Sequence, residues 1–186
     1  MPSRSDEQLV REFQRGDEQA FSDFVRRHED RVYRLAVMWL RDGSLANDVL
    51  QEVWVRSYTG LHRFRFGAQP STWIARICRN VCHEQNRRTV RATALPDRLR
   101  GAEGGVGDVV EMEVSPSFDE LHDAVRDLPQ RQREVVVLRV FEELSVADTA
   151  AVMGCRAGTV KASLKKGLAN LKTKLENQAW IDDLTL

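Results

Sequence analysis

The chain has 186 residues and a formal net charge of zero, a length that suits one large domain or two small ones. No apolar run approaches the roughly 18 residues that span a bilayer, and the N-terminal segment MPSRSDEQLV is too polar for a signal peptide, so we expect neither membrane insertion nor secretion. The three cysteines are odd in number and lack paired CxxC spacing, which indicates neither a disulfide framework nor a zinc site and favours a reducing, cytoplasmic compartment.

Charge is distributed unevenly along the chain. The balance of Lys and Arg against Asp and Glu is +4 for residues 1–91, −3 for residues 92–116 and −1 for residues 117–186. Within the last segment, Arg156–Leu175 contains six basic residues and no acidic one. The neutral total therefore conceals a local basic face of the kind that binds nucleic acid.

Helical periodicity fills the first 91 residues. Apolar residues recur at spacings of three and four, as in Val32, Leu35, Ala36 and Trp39. Breaks at Gly16-Asp17, Asp42–Ser44 and Gly67–Ser71 divide this stretch into about four helices, and Ser71 is a plausible N-cap for the last of them.

Basic and aromatic residues alternate near the last of these breaks. Phe64 and Phe66 lie beside Arg63 and Arg65, and the following helix carries Arg76, Arg79, Asn80, Arg87 and Arg88. Aromatic rings next to arginines suit the stacking of unpaired bases with parallel phosphate contacts. Plain packing of these rings is equally open from this segment alone, and for Trp54 and Trp73 burial is the expected role.

Residues 92–116 are glycine-rich, acidic and short of aromatic residues, a composition typical of a linker. Helical periodicity then returns with apolar residues at Phe118, Leu121, Val125, Leu128, Val135, Val136, Leu138, Val140 and Phe141. We therefore predict an all-α fold with two small helical domains, residues 1–91 and 117–175, followed by a tail of residues 176–186.

The most specific local pattern is LSVADTAAVMGCRAGTVKASLKKGLANL. Ser145 predicts the N-cap of a short helix that ends near Met153, Gly154 supplies a turn, and a basic second helix begins near Ala157. A short helix, a glycine turn and a basic helix form the layout of a helix-turn-helix, whose second helix fits the major groove of DNA. A solvated basic helix in an ordinary bundle is the alternative.

In the second helix we expect Val160, Leu164 and Leu168 to face the domain core. The candidate contacts to duplex DNA lie at the start and on the outward side of this helix: Arg156, Gly158, Thr159, Lys161, Ala162, Ser163, Lys165 and Lys166. A helix-turn-helix alone suits repressors and activators equally well.

Four ordered blocks of the chain resemble extracytoplasmic-function sigma factors, a group of the sigma-70 family of RNA polymerase sigma factors. The blocks are LVREFQRGDEQAFSDFVRRHEDRVYRLA, ANDVLQEVWVR, STWIARICRN and DLPQRQREVVVLRVFEELSVADTAAVMGCRAGTVKASL. They cover nearly the whole chain apart from the linker. The resemblance implies a sigma-2 domain before the linker and a sigma-4 domain after it.

The resemblance also implies the partners: core RNA polymerase, promoter DNA and, as a candidate, an anti-sigma factor. Docking on the clamp helices of the largest polymerase subunit is implied for Asp48, Gln51, Glu52 and Trp54. The turn Leu61–Gln69 and the helix Ser71–Arg88 are implied to recognise and melt the −10 element, with Arg63, Phe64, Arg65, Phe66, Arg76, Arg79, Asn80, Arg87 and Arg88 as site residues.

By the same resemblance, the helix-turn-helix reads the −35 element, the segment Pro129–Phe141 contacts the polymerase flap, and the acidic linker passes through the RNA exit path. The sequence departs from the family where Leu45 and Asn47 replace common acids. One hypothesis is that phosphate on Ser57 or Thr59 restores the missing charge.

Other interpretations of the sequence are less well supported. Cys78, Cys82 and His83 share one helical stretch, but the apolar spacing around Cys78 favours a buried thiol over a metal ligand. No motif of an enzyme and no cofactor site is found in the sequence. The functional alternatives are a helix-turn-helix regulator that acts without polymerase and a sigma mimic that binds polymerase but not promoters.

Overall fold

The computed structural model describes the backbone of residues 4–94, 121 and 123–183, and the side chains of residues 4–91, 121 and 123–176. The chain divides into two compact units, residues 1–107 and residues 108–186. Throughout the described ranges the regular secondary structure is helical, which confirms the predicted all-α fold. Among the described helices, none combines the length and apolar character needed to cross a membrane.

The first unit contains the four predicted helices: α1 (Asp6–Gln14), α2 (Glu18–Trp39), α3 (Ala46–Leu61) and α4 (Pro70–Ala94), with a 3-10 turn, Gly43–Leu45, before α3. Local sequence explains their starts. Ser5 and Gln8 form a reciprocal capping box at α1, and the Asp17 carboxylate accepts hydrogen bonds from two backbone N–H groups at α2.

The start of α4 differs from the prediction. The helix begins at Pro70, and the N–H groups of Thr72 and Trp73 both donate to the carbonyl of Gln69. Ser71 therefore lies inside the first turn, and its assignment as the N-cap is wrong. Proline is favoured at the first helical position, because the N–H that it lacks would have no partner there.

The four helices pack their apolar sides together into one core. Phe13, Phe24, Leu35, Val53, Ile74 and Cys78 are among the side chains that are at most 1% exposed. Cys82 is also fully buried, and the Cys78 thiol donates to the carbonyl of Val32 at 3.7 Å. The buried-thiol interpretation of Cys78 is confirmed. The described part of the chain has no cluster of three metal-binding side chains.

Asn86 of α4 fixes the end of α2. Its Nδ2 donates to the carbonyl of Trp39 at 2.9 Å, and its Oδ1 accepts from the N–H of Arg41 at 3.0 Å. The Asn86 side chain is buried. One amide therefore satisfies two backbone groups at the point where α2 ends, where a helix normally leaves carbonyls without partners.

The second unit contains α5 (Gln130–Val136), a π-helical turn (Val137–Phe141), α6 (Val146–Met153) and α7 (Ala157–Asp183), and residues 123–126 are also helical. Its core includes Ala124, Val125, Leu128, Val135, Val136, Leu138, Val152 and Val160. Because α7 continues to Asp183, the expected boundary between the second domain and the tail falls inside a helix.

Two positions of the apolar pattern, Val140 and Phe141, are 49% and 37% exposed. The π turn explains the difference. The N–H of Glu142 donates to the carbonyl of Val137, five residues earlier, so the turn is one residue wider than in an α-helix. The 3.6-residue period stops at this point, and both side chains reach solvent.

Candidate nucleic-acid interface

The α6–α7 pair has the predicted helix-turn-helix features. The Ser145 hydroxyl accepts a hydrogen bond from the N–H of Asp148 at 3.0 Å and thereby caps α6. Gly154 ends α6 in the left-handed conformation, with φ at +62°, which glycine adopts without steric cost. The carbonyl of Arg156 then accepts from the N–H groups of Thr159 and Val160 and starts α7.

The predicted duplex contacts lie together at the start of α7. Arg156, Gly158, Lys161, Ala162, Lys165 and Lys166 are exposed, whereas Thr159 and Ser163 are half-buried. Because a helix presents its N-terminal N–H groups and a positive dipole end, this end of α7 favours anionic ligands such as phosphate.

The inward side of α7 differs in part from the prediction. Val160 is fully buried and Leu164 is half-buried, but Leu168 is 42% exposed, so its assignment to the core is wrong. Gly167 takes the inward position and lies against Val136. The apolar pattern did not identify Gly167, because glycine has no side chain that contributes to such a pattern. The α7 backbone lies so close to Val136 at this residue that a larger side chain would clash.

Polar side chains continue the attachment of α7 beyond Gly167. The Asn170 Nδ2 donates to Gln132 Oε1 at 2.7 Å, and Lys174 Nζ pairs with Asp127 Oδ2 at 3.1 Å. Spacings of three and four residues keep Gly167, Asn170 and Lys174 on one side of the helix. These contacts hold α7 against α5 and the segment before it.

On α4, most of the predicted contacts share the solvent side. Arg76, Asn80, Arg87 and Arg88 are exposed, while Arg79 is half-buried at their flank and already interacts within the protein. Ile74, Cys78 and Cys82 form the buried side of the same helix. Arg76, Asn80 and Arg87 are separated by four and seven residues and therefore share one accessible side of α4, whereas Arg88 lies on the side that faces α3, with Val81 and Glu84.

Residues 62–69, here called the connecting turn, join α3 to α4. Its rings form a row: the Phe66 and Phe64 centroids are 5.1 Å apart, and those of Phe64 and Trp73 are 5.4 Å apart. Both phenylalanines and Trp73 are half-buried, while Arg63 and Arg65 are exposed. Trp73 is thus less buried than expected, although one part of its ring packs against Gly60.

Two residues of α1, neither of them singled out from sequence, contact this turn. Gln14 Nε2 donates to the carbonyls of Leu61 and Phe64 at 2.8 and 2.9 Å. The Arg11 guanidinium lies over the Phe66 ring, 4.1 Å from its centroid. Sequence gave no signal for these contacts, because their partners lie about 50 residues away in the chain.

The predicted polymerase contacts lie on the outward side of α3. Asp48, Gln51 and Glu52 are exposed and Trp54 is half-buried. Arg56, on the same helix, binds Glu84 of α4 with two hydrogen bonds of 3.0 and 2.8 Å and binds Glu52 at 2.6 Å.

These ion pairs shift the ionisation of both partners. The carboxylates of Glu84 and Glu52 raise the pKa of Arg56, and the hydrogen bonds from Arg56 lower the pKa of Glu84.

The groove between α3 and α4, with a volume of about 330 Å³, is lined by Asp48, Val49, Glu52, Arg56, Val81, Glu84, Gln85 and Arg88. The Arg56 side chain therefore extends to α4 from the side of α3 that carries the predicted polymerase contacts.

Ser57 does not fit the phosphorylation hypothesis. Its side chain is fully buried, and its hydroxyl donates to the carbonyl of Val53 at 2.6 Å. A kinase cannot reach this hydroxyl in the folded chain, so the hypothesis is wrong for Ser57. Thr59 is exposed and remains accessible.

Two family models match this chain. Residues 24–92 match sigma-70 region 2, and residues 118–171 match sigma-70 region 4. The chain is 32% identical over 176 residues to the RNA polymerase sigma-H factor of Pseudomonas aeruginosa, covering 88% of this chain and 90% of that protein. The chain belongs to the sigma-70 family and is an extracytoplasmic-function sigma factor. It directs promoter-specific initiation of transcription.

Other similar proteins support the same family assignment for this sigma factor. The extracytoplasmic-function factor SigW of Bacillus subtilis is 28% identical over 181 residues, covering 90% of this chain and 95% of that protein. Among solved structures, the sigma factor RpoE of Bartonella quintana, in complex with the anti-sigma factor NepR, matches with a TM-score of 0.71 at 22% identity. That match covers 84% of this chain and 96% of RpoE and concerns the fold.

The sigma factor's matched regions include nearly all of the candidate surfaces. The region 2 match contains the outward side of α3, the connecting turn and α4 up to residue 92, and the region 4 match contains α5, α6 and the start of α7. Arg11 and Gln14 lie before the first matched residue, so the contacts from α1 are outside both family models.

Proposed function

We propose that the α6–α7 helix-turn-helix of this sigma factor reads the −35 element as duplex DNA. The contacting residues are Arg156, Gly158, Thr159, Lys161, Ala162, Ser163, Lys165 and Lys166. The proposal is supported by the exposed, acid-free start of α7, because lysine and arginine neutralise phosphates while the first turn of a recognition helix reaches base edges.

The first domain recognises and melts the −10 element in this proposal. Asn80, on the accessible side of α4, contacts an unpaired base, and the surrounding arginines follow the phosphates. The contacting residues are Arg63, Phe64, Arg65, Phe66, Arg76, Arg79, Asn80, Arg87 and Arg88. Opening duplex DNA costs a few kcal/mol for each unstacked step, which binding of extruded bases must offset.

Polymerase binds at two further surfaces. Asp48, Gln51, Glu52 and Trp54 dock on the clamp helices of the largest subunit, and the segment Pro129–Phe141 contacts the flap. The exposure of Val140 and Phe141 supports the second contact, since large apolar side chains at the surface favour protein partners.

The remaining assignments concern organisation and control. The domains are residues 1–91 and 117–175, the acidic linker of residues 92–116 enters the RNA exit path, and residues 176–186 form a tail. An anti-sigma factor is a further partner, supported by the solved structure of RpoE, which contains the anti-sigma factor NepR. The factor acts in the cytoplasm, where polymerase meets DNA.

Run-off transcription with bacterial core polymerase and a library of promoter fragments tests this function. We expect specific transcripts that are lost in Asn80→Ala and in the double variant Lys161→Ala, Lys165→Ala. Glu29→Ala on α2 and Lys172→Ala on α7 remove exposed charges away from the proposed contacts and serve as matched controls.

The salt dependence of DNA binding separates the possible outcomes. Removing each phosphate contact should lower the slope of log K against log salt by about 1. DNA binding without polymerase binding would identify a regulator that acts alone. Tight polymerase binding without promoter-specific transcripts would identify a sigma mimic.

A further inference from the structure

The connecting turn is held by α1, a helix outside both matched family regions. We propose that Gln14 and Arg11 are positioning residues that preorganise this turn for unpaired −10 bases. The inference rests on the proposed −10 function of the turn. It assigns to α1 a part in promoter opening.

Gln14 fixes the first half of the turn. Its amide nitrogen donates to the carbonyl of Leu61, the last residue of α3, and to the carbonyl of Phe64 in the turn. The last carbonyls of a helix have no partner within the helix. One half-buried side chain thus ties the end of α3 to the backbone of an aromatic residue that is proposed to contact DNA.

Arg11 fixes the second half of the turn. Its guanidinium lies 4.1 Å from the centroid of the Phe66 ring, a distance suited to cation–π attraction. Phe66 has φ at +55°, a left-handed conformation that bulky residues rarely adopt without support from their surroundings. Arg11 supplies such support and brings a positive charge to the surface where the DNA strand would run.

Arg11 and Gln14 are three residues apart and therefore lie on the same side of α1. Phe13, between them, is buried in the core, so α1 is firmly placed. A turn that is already ordered loses less conformational entropy when it binds bases. The expected effect of removing these contacts is a defect in holding unpaired bases, with binding of polymerase and of the −35 duplex unchanged.

The experiment uses the full chain with core polymerase and a promoter that carries 2-aminopurine in the −10 element, whose fluorescence reports unstacking. Gln14→Ala and Gln14→Glu should each reduce the open-complex constant about tenfold, as for the loss of a net hydrogen bond. Glutamate has the size of glutamine but lacks the donor. The defect should persist on a promoter that is already unpaired at −10, because it lies in the capture of bases.

Arg11 is tested in the same assay. Arg11→Ala should reduce open complexes severalfold and lower the salt slope by about 1, whereas Arg11→Lys should restore the slope but only part of the opening, because lysine lacks the planar guanidinium. Arg15→Ala, at an exposed residue just after α1, is the matched control and should behave as wild type.

Asn80→Ala distinguishes failure of this inference from failure of the proposed function. If the Gln14 variants open promoters normally while Asn80→Ala does not, the inference is wrong and the −10 assignment stands. If Asn80→Ala also opens promoters normally, the −10 assignment itself fails. If the Gln14 variants lose polymerase affinity to the same extent as promoter opening, Gln14 supports the fold in general, which overturns the positioning role.

Discussion

Gly167 of α7 lies so close to Val136 of α5 that a Cβ on the glycine would stand 2.9 Å from Val136 Cγ2 and 3.3 Å from the carbonyl of Gln132. We expect Gly167→Ala to push α7 away from α5. Overpacking of this kind costs about 1–3 kcal/mol, while replacing a helical glycine by alanine returns about 1 kcal/mol. The net loss of stability in the second unit is up to about 2 kcal/mol, measured by faster amide hydrogen exchange in α7.

Gly158→Ala is the control for this substitution. Gly158 lies in the same helix, and an added Cβ would meet nothing within 4 Å. Its replacement should slow amide exchange in α7, because only the gain in helix propensity remains. Equal behaviour of the two variants would mean that the contact with Val136 does not limit the position of α7.

Arg56 joins two carboxylates on different helices, so Arg56→Ala should weaken the attachment of α3 to α4. The pair with Glu84 is about one-third exposed on both sides, which limits the loss to about 1 kcal/mol. Arg56→Lys keeps the charge but loses the bidentate hydrogen bonding to Glu84, so it should recover only part of the lost stability. Urea unfolding of both variants, combined with Glu84→Gln in a double-mutant cycle, measures the coupling.

The same variant has a spectroscopic readout. Since hydrogen bonds from Arg56 lower the pKa of Glu84, Arg56→Ala should raise that pKa toward its ordinary value. Carboxyl-carbon NMR titration follows Glu84 directly. An unchanged titration curve would show that the ion pair does not persist in solution.

A negative charge should destabilise the fold at Ser57 but have little effect on stability at Thr59. Ser57→Asp places a carboxylate where the side chain is fully buried, and we expect a loss of at least about 2 kcal/mol in unfolding free energy. Thr59→Asp, at an exposed position, should change stability by less than about 0.5 kcal/mol. Thermal unfolding compares the two, and a stable Ser57→Asp variant would contradict the observed packing.

Asp6 should make the first unit sensitive to acid. Burial alone raises the pKa of Asp6, but hydrogen bonds from His28 and Arg27, both 2.8 Å long, together with the attraction of their positive charges, lower it by more. A carboxyl with a lowered pKa in the folded state contributes stability above its ordinary value of 3.8, and this contribution disappears as pH falls through the lowered pKa.

The measurement is urea unfolding between neutral pH and about pH 3. Asp6→Asn should unfold at lower urea concentration at neutral pH and lose less stability than wild type as the pH decreases below 3.8. Glu7→Gln removes an exposed acid from the same helical turn and is the control. Parallel pH profiles for wild type and Asp6→Asn would rule out this role of Asp6.

Sequence predicted best those features whose cause is local. Ser145 caps α6 and Gly154 ends it because both effects depend on neighbouring backbone groups. Ser71 failed as a cap because Pro70 competes for the same helix start and removes an N–H that would need a partner. The four-helix organisation of the first unit followed from apolar spacing, which reports burial directly.

Features that depend on distant partners were not predicted. Leu168 fits the apolar pattern but is exposed, while Gly167, which has no side chain, makes the close helix contact. Gln14 and Asn86 act on backbone groups about 50 residues away, and nothing in the spacing of a polar residue specifies such a partner. The candidate DNA contacts could be proposed because charge and aromatic content are visible in the sequence, whereas the residues that orient them are not.

The amide of Asn86 has a mechanical consequence. It lies on the buried part of α4, away from the accessible side that carries Asn80, and bonds the backbone on both sides of the point where α2 ends. These two hydrogen bonds couple any axial displacement of α4 to the α2 backbone. Because α4 cannot slide along α2 without breaking both bonds, the proposed −10 contacts on α4 keep a fixed axial position relative to α2.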